Sequence, residues 1–233
     1  MPRPTRADEA GGLYHALNRG NARCDLFRKA ADFDAFERIL SEGLERYDVH
    51  LYAFQLMSNH WHLVLRPNQD GEMSRFLRWI SGTHTMRFHA HYHTSGEGHV
   101  YQGRFKSFPI QDDEHFLTVC RYVERNALKA EMVSRAEDWR WGSLWHWLHA
   151  DKTAVSLLSP WPLPRWPGWV ERVNEPLTTG GLQQIEDCTK RGRPFGSPDW
   201  MQSTVERLGL ETTLRPRGRP RVRNLGEIDN NES

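Results

Sequence analysis

Two histidines, His60 and His62, are separated by one residue within segment 57–65, which otherwise has the composition of a buried strand. Alternate side chains of a strand share a face, so both imidazoles project together while Trp61 and Leu63 project to the opposite face. Neutral imidazole is the commonest metal-binding side chain, and the pair therefore predicts two nitrogen ligands for one divalent metal ion. Two solvent-facing histidines are the alternative, and an isolated His-x-His pattern does not decide between them.

A tyrosine and an amide, Tyr122 and Asn126, follow at helical i and i+4 spacing in segment 112–130, which predicts one amphipathic helix. A tyrosine hydroxyl becomes a nucleophile when it is activated, and a divalent metal can polarise a phosphoryl oxygen. If this helix crosses the sheet face that carries the histidines, Tyr122 could attack a DNA phosphodiester and form a covalent phosphotyrosine. The alternative is an interfacial tyrosine whose ring is packed and whose hydroxyl is hydrated.

The elements that must position these residues are predicted in the order β-α-β-β-α-β-α. Residues 13–17 predict a strand that ends in turn residues 18–21, and 30–46 predict an amphipathic helix. Near Ser58 and Asn59, either two strands meet at a tight turn or one long strand bends. The predicted class is α+β, with a ferredoxin-like antiparallel sheet and helices on one face.

The C-terminal third differs from the rest of the chain. Residues 159–168 contain prolines that exclude a regular element, and we place a boundary between a catalytic domain, 1–150, and a C-terminal extension, 151–233. Short helices are predicted at 182–188 and 200–208, and the polar, acidic end is predicted to be disordered. Residues 190–223 hold nine Lys or Arg and three acidic residues, although the whole chain has a formal charge of +1. Such an extension attracts polyanions.

The composition limits the possible classes of protein. The three cysteines of this 233-residue chain are far apart, which argues against a disulfide framework or a cysteine zinc site. No segment approaches the roughly 18 apolar residues of a membrane span, and the first residues lack the apolar region of a secretion signal. The sequence therefore predicts a cytoplasmic protein that does not contact a membrane.

Basic residues near the predicted site and in the extension are candidates for binding DNA. Arg19, Arg104 and Lys106 are expected to contact phosphates, since such contacts supply most of the sequence-independent affinity. Residues 191–194 and 217–220 both have the sequence Arg-Gly-Arg-Pro, the core of an AT-hook, whose extended arginines enter a narrow minor groove. The predicted DNA-binding residues of the extension are Arg191, Arg193, Arg217 and Arg219. Solvated surface charge and a plain polybasic tail are the alternatives.

Taken together, the segments MSNHWHLVL, VYQGRFKSF, RYVERNALKAEMV and DWRWGSL resemble the bacterial REP-associated tyrosine transposases. These are IS200-like members of the HUH single-strand transposase superfamily, and the resemblance extends over residues 11–223. It implies a ferredoxin-like domain in which His60 and His62 bind Mg2+ or Mn2+ and Tyr122 cleaves single-stranded DNA. Asn126 stands where insertion-sequence relatives have a glutamine metal ligand, which is longer by one methylene.

The resemblance implies a metal-dependent DNA strand transferase that binds hairpins of repetitive extragenic palindromes (REP). It would cleave and rejoin the adjacent single strand through a 5′-phosphotyrosine. One alternative is a non-catalytic, domesticated DNA-binding protein, and another is a metal-dependent phosphodiesterase that uses an activated water. Insertion-sequence relatives share active sites within dimers, whereas the longer chain here favours a monomer, with a dimer as the alternative.

Overall fold

A computed structural model of the protein describes residues 7–149 and 157–215. One antiparallel sheet has the strand order β2-β3-β1-β4. Its strands are β1 (Leu13–Arg19), β2 (Val49–Met57), β3 (His60–Pro67) and β4 (Lys106–Ile110). Helix α1 (Ala30–Arg46) connects β1 to β2, and α2 (Glu72–Tyr92) connects β3 to β4. This topology confirms the predicted α+β, ferredoxin-like class. The predicted boundary between 150 and 151 and the predicted disordered end lie outside the described residues.

Strands β2 and β3 form a hairpin whose turn is Ser58 and Asn59. Met57 pairs with His60, so the tight turn is the correct one of the two predicted arrangements. The turn carbonyls accept backbone hydrogen bonds from Gly20, Leu26 and Phe27 at 2.7–3.0 Å. These bonds from outside the hairpin fix the point at which β3, and with it the histidine pair, begins.

Helices α1 and α2 cover the sheet face to which Trp61, Leu63 and Leu65 project. The side chains of these three strand residues and the apolar side chains of both helices form one buried core. The two helices approach closely at Gly43, where an added Cβ would lie 2.8 Å from the Phe76 ring. The histidine pair therefore projects to the opposite face.

On that opposite face lie helices α3 (Glu114–Glu124) and α4 (Asn126–Lys129). Helix α3 begins at Asp113, whose side chain accepts a hydrogen bond from the His115 backbone N–H at 2.8 Å. The prediction of one uninterrupted helix over 112–130 is wrong, because the helix is interrupted at Arg125. The Asn126 amide donates to the Tyr122 and Val123 carbonyls, at 2.9 and 3.3 Å, and so competes with the helix backbone at this point.

The C-terminal extension contributes α6 (Trp169–Asn174), α7 (Thr179–Arg191) and α8 (Pro198–Leu208), and both short helices predicted there are confirmed. Helices α6 and α7 pack against the same face as α3, whereas Val205 of α8 belongs to the core on the α1 and α2 face. Trp169, Ile185 and Phe195 share a buried core with α3 and β4. Residues 159–168 contain no helix or strand, as predicted. None of the helices in the described residues is both long and apolar enough to span a membrane.

Buried Glu124 ties the tyrosine-bearing helix to its neighbours. Its carboxylate accepts hydrogen bonds from Ser143 Oγ, at the start of α5 (Ser143–Leu148), and from Trp169 Nε1, both at 2.7 Å. Burial raises the pKa of Glu124, although both donors lower it. The end of α3, two residues after Tyr122, is thus held by two other helices.

Candidate active site

A cleft of about 1090 Å³ opens between the sheet, helices α3 and α4, and helix α7. Every candidate residue that the sequence placed in the catalytic domain lines this cleft. They are Arg19, His60, His62, Arg104, Lys106, Tyr122 and Asn126. The fold thus brings the candidate metal ligands, nucleophile and phosphate-binding residues to one place.

His60 is held in a state suited to binding metal. Its Nδ1 lies 2.6 Å from Asn59 Oδ1, and since a carbonyl oxygen can only accept, Nδ1 donates. The lone pair of the neutral ring is then on Nε2. Burial, and secondarily the charge of Arg19, lowers the pKa of His60 to about 4, so the imidazole is neutral at physiological pH.

His62 lies beside a third histidine, His15 of β1. His62 Nδ1 and His15 Nε2 are 2.9 Å apart, and the two rings stack with centroids 5.1 Å apart and planes at 14°. Burial, followed by the nearby His60 and His15, holds the pKa of His62 well below its usual value. Both candidate ligands are therefore uncharged.

The sequence interpretation assigned no role to His15. His15 alternates along the first strand with Tyr14 and Ala16, which belong to the core on the opposite face, and so it lies on the histidine face of the sheet. Its contact with His62 depends on the register that pairs Leu17 with His62.

Tyr122 faces the histidines from helix α3. Its ring lies edge-on to His62, with centroids 5.9 Å apart, and edge-on to His15, with centroids 6.1 Å apart. Burial, followed by the charge of Glu186, raises the pKa of Tyr122 to about 12, whereas Arg19 acts in the opposite direction. The hydroxyl is therefore protonated at neutral pH and requires activation to act as a nucleophile.

Asn126 adds a candidate oxygen ligand for a metal ion to the cleft. Its amide nitrogen is engaged by the helix carbonyls, which leaves Oδ1 as the end of the side chain available to a ligand. No group of three His, Cys, Asp or Glu residues in the described parts of the chain is placed to hold a metal. The donor set is thus two neutral imidazoles and one amide oxygen, a combination that fits a divalent ion completing its coordination with water or phosphate oxygens.

Helix α7 supplies a wall of the cleft that the sequence did not predict. Glu186, Thr189 and Lys190 line the cleft, and Glu186 Oε1 lies 3.2 Å from the Nζ atom of Lys129 on α4. The opposing charges of Glu186 and Lys129 join the extension to the helix that follows Tyr122. No signal in the sequence indicates which face of α7 contacts the site.

Two of the candidate arginines of the extension, Arg191 and Arg193, are not brought to the cleft. Arg191 is the last residue of α7, and Gly192 then adopts a left-handed conformation with φ of 72°, so residues 191–194 are not an extended AT-hook. Arg191 and Arg193 are absent from the cleft lining. Arg217 and Arg219 lie outside the described residues.

Comparisons with known proteins identify relatives. Residues 11–126 match a family model described as IS200-like transposase. Among solved structures, a REP-associated tyrosine transposase bound to a REP hairpin aligns with a TM-score of 0.53 and 16% identity, over 77% of this chain and 100% of that chain. A candidate transposase from Deinococcus radiodurans aligns with a TM-score of 0.38 and 14% identity, over 57% of this chain and 91% of that chain. No curated protein sequence matches the chain.

Proposed function

We propose, because residues 11–126 of this chain belong to the IS200-like transposase family, that the protein cleaves and rejoins single-stranded DNA through a covalent bond to Tyr122. One observation carries this proposal. The Tyr122 ring contacts His62 edge-on, and both line one cleft with His60 and Asn126. These residues supply a nucleophile and candidate ligands for a divalent metal ion, the two components of a metal-assisted phosphoryl transfer to a tyrosine.

In the cleavage step, Tyr122 Oη attacks the scissile phosphorus. The bond between phosphorus and the 3′ oxygen breaks, and that oxygen leaves as a hydroxyl after it takes up a proton. The phenolic proton passes to solvent. The products are a 5′-phosphotyrosine and a free 3′ hydroxyl, and the reverse attack by a 3′ hydroxyl rejoins the strand without a nucleotide cofactor.

His60, His62 and Asn126 would hold a divalent metal ion, Mg2+ or Mn2+. When bound, such an ion polarises the scissile phosphate and offsets the charge that develops in the transition state. The low pKa of His60, about 4, means that protons do not compete for this ligand at physiological pH. Asn59 holds the lone pair of His60 on Nε2, the nitrogen available for the ion.

The basic rim of the cleft would bind the DNA backbone. Arg19, Arg104 and Lys106 line the cleft together with Lys190 of the extension, so a strand that enters the cleft meets several positive charges. The structurally similar transposase is bound to a REP hairpin. By analogy, we propose that this chain binds such a hairpin in the nucleoid, with contacts from Arg191, Arg193, Arg217 and Arg219, and cleaves the adjacent single strand.

We propose that the protein acts as a monomer, because the candidate nucleophile and metal ligands line one cleft of a single chain. His62 and Tyr122 of the same chain are in ring contact, and α7 of that chain closes the cleft. Catalysis by a monomer predicts that the rate of cleavage per protein molecule is independent of dilution. A rate that falls with dilution would indicate sites completed between subunits.

The test is incubation of the full chain with labelled single-stranded DNA that carries a palindrome from its own genome, with Mg2+ or Mn2+, followed by denaturing electrophoresis. We expect a metal-dependent covalent band that is lost in Tyr122→Phe and in the His60→Ala, His62→Ala double variant. Tyr52→Phe is the matched control, because Tyr52 belongs to the core beneath α3 and does not line the cleft.

The same experiment separates the two alternatives. Cleavage that produces no adduct and survives in Tyr122→Phe would instead establish a phosphodiesterase that uses an activated water. Tight binding of several palindromes, with neither cleavage nor adduct in either metal, would establish a DNA-binding protein without catalysis.

A further inference from the structure

The buried histidine of strand β1, His15, is not used by the mechanism above. Its side chain is completely inaccessible to solvent, and its Nδ1 has no hydrogen-bond partner within the described parts of the chain. An unpaired buried polar nitrogen is unfavourable, because it has lost its hydrogen bonds to water. A hydrocarbon side chain would avoid this cost, since the rings of Phe108, His62 and Tyr122 surround the position. The function of the imidazole must therefore lie in its other nitrogen.

That nitrogen, His15 Nε2, forms a hydrogen bond of 2.9 Å with His62 Nδ1. A neutral imidazole carries one N–H and one lone pair, so the bond has two possible directions. If His62 Nδ1 donates, the lone pair of His62 is on Nε2 and can bind a metal, and the hydrogen of the neutral His15 ring is on its unpaired Nδ1. If His15 Nε2 donates, His62 Nε2 carries the hydrogen and cannot be a ligand.

The charges around the cleft favour the first direction. Arg19 and Lys129 line the cleft together with His62, and both charges act on the His62 ring. Positive charge stabilises a lone pair on the ring nitrogen next to the cleft and destabilises an N–H dipole there. Asn59 imposes the corresponding state on His60, because its carbonyl oxygen can only accept the hydrogen of Nδ1.

We infer that His15 is a positioning residue, which accepts the Nδ1 hydrogen of His62 and thereby keeps the Nε2 lone pair of His62 available to the metal. This inference rests on the proposed function, since the tautomer matters only if His62 is a ligand. His15 does not line the cleft, so it acts on the metal through His62, and its ring also lies edge-on to Tyr122. The two candidate ligands are thus held in the same tautomer by two different acceptors, an amide oxygen for His60 and an imidazole nitrogen for His62.

The first test reads the tautomer directly in the metal-free full chain. Long-range 1H–15N correlation spectra of 15N-histidine-labelled protein at pH 7.5 distinguish a protonated from an unprotonated ring nitrogen. We expect wild-type His62 to be protonated at Nδ1, and this preference to be lost in His15→Phe, whose ring retains the packing. A wild-type His62 that is protonated at Nε2 would overturn the inference.

The second test measures Mn2+ affinity from the electron paramagnetic resonance signal of the free ion. We expect His15→Phe to weaken Mn2+ binding about tenfold to a hundredfold, as is typical when the partner of a ligating histidine is lost. In His15→Gln, the side-chain oxygen can accept the same hydrogen, and we expect part of the affinity to return. The matched control is His84→Phe, because His84 is also buried and hydrogen-bonded, to Tyr101. We expect this control to leave both the His62 tautomer and the Mn2+ affinity unchanged.

The outcomes separate this inference from the function on which it rests. Wild-type protein that binds no Mn2+ would overturn the proposed metal-dependent function, and the role of His15 with it. Wild-type protein that binds Mn2+ with an affinity unaffected by His15→Phe and His15→Gln would overturn the role of His15 alone.

Discussion

The ring of Tyr122 meets the ring of His62 edge to face, with centroids 5.9 Å apart and planes at 90°. This contact joins helix α3 to strand β3 and places the candidate nucleophile beside a candidate metal ligand. The buried Glu124 holds the end of α3 through Ser143 and Trp169, so the tyrosine is carried by a fixed element. This arrangement of the site leads to the following expectations.

Asn59 determines the tautomer of His60 in this account. Asn59→Ala removes the acceptor of His60 Nδ1, and we expect Mn2+ affinity to fall about tenfold to a hundredfold. Isothermal titration calorimetry with Mn2+ measures the change. Asn68→Ala is the control, because Asn68 bonds to Asp48 beyond the other end of β3. Equal affinities in wild type and Asn59→Ala would show that the carbonyl has no influence on the metal site.

Glu186 opposes ionisation of the nucleophile, since its charge contributes to the raised pKa of Tyr122. In Glu186→Gln we expect the pKa of Tyr122 to fall and the rate of adduct formation at pH 8 to rise severalfold. Quenched time-course assays of adduct formation between pH 7 and pH 9.5 would show that the pH–rate profile is shifted to lower pH. Asp187→Asn is the matched control, on the same helix but not in the cleft lining. A rate that is unchanged or lower in Glu186→Gln alone would contradict this role.

Arg104 and Lys106 are expected to contact phosphates, because both are exposed and line the cleft. In the Arg104→Gln, Lys106→Gln double variant, we expect the slope of log affinity against log salt for single-stranded DNA to decrease by about 1.4, at about 0.7 per phosphate contact. Fluorescence anisotropy at several salt concentrations measures the slope. The matched control is the Arg38→Gln, Arg78→Gln double variant, since both arginines are exposed on the helices that cover the opposite sheet face. Identical slopes in the two double variants would argue against direct contacts.

Much of the fold could be predicted because its signals are local. Alternation along β3 and helical periodicity in α1 and α2 each lie within a short window of sequence, and such signals gave the order of elements β-α-β-β-α-β-α. The pairing of His15 with His62 could not be predicted in this way, because it depends on a register between strands 47 residues apart. The cleft wall formed by α7 is likewise a tertiary contact. The local pattern also did not predict the interruption of the helix at Arg125. The side chain of Arg125 donates a hydrogen bond to the Val173 carbonyl of α6, which is another tertiary contact.

Acid should destabilise the protein through its buried histidines. Burial lowers the pKa of His84 to about 4, against the opposing charge of Asp32, whereas the unfolded value is about 6.5. Between these two values the unfolded state binds more protons, so the free energy of unfolding falls as the pH decreases from 6.5 to 4. Each such histidine contributes up to roughly 1.4 kcal/mol per pH unit in this window.

Urea unfolding at pH 7, 5.5 and 4.5 measures this dependence. We expect His84→Phe to be less stable than wild type at pH 7, since it loses the hydrogen bond to Tyr101, but to lose less stability on acidification. His99→Phe, at an exposed position, should keep the wild-type dependence. The same loss of stability with falling pH in wild type and His84→Phe would show that folding does not lower the pKa of His84.

The central claim is that Tyr122 becomes covalently bound to a 5′ phosphate. The most direct measurement uses a palindrome-bearing single strand labelled in separate reactions at its 5′ end and at its 3′ end, with the full chain and Mn2+. The account predicts that only the 3′-end label migrates with the protein, and that the nucleotide remains on the peptide containing Tyr122 after proteolysis. A 5′-end label on the protein, an adduct that persists in Tyr122→Phe, or release of both fragments without any adduct would contradict it.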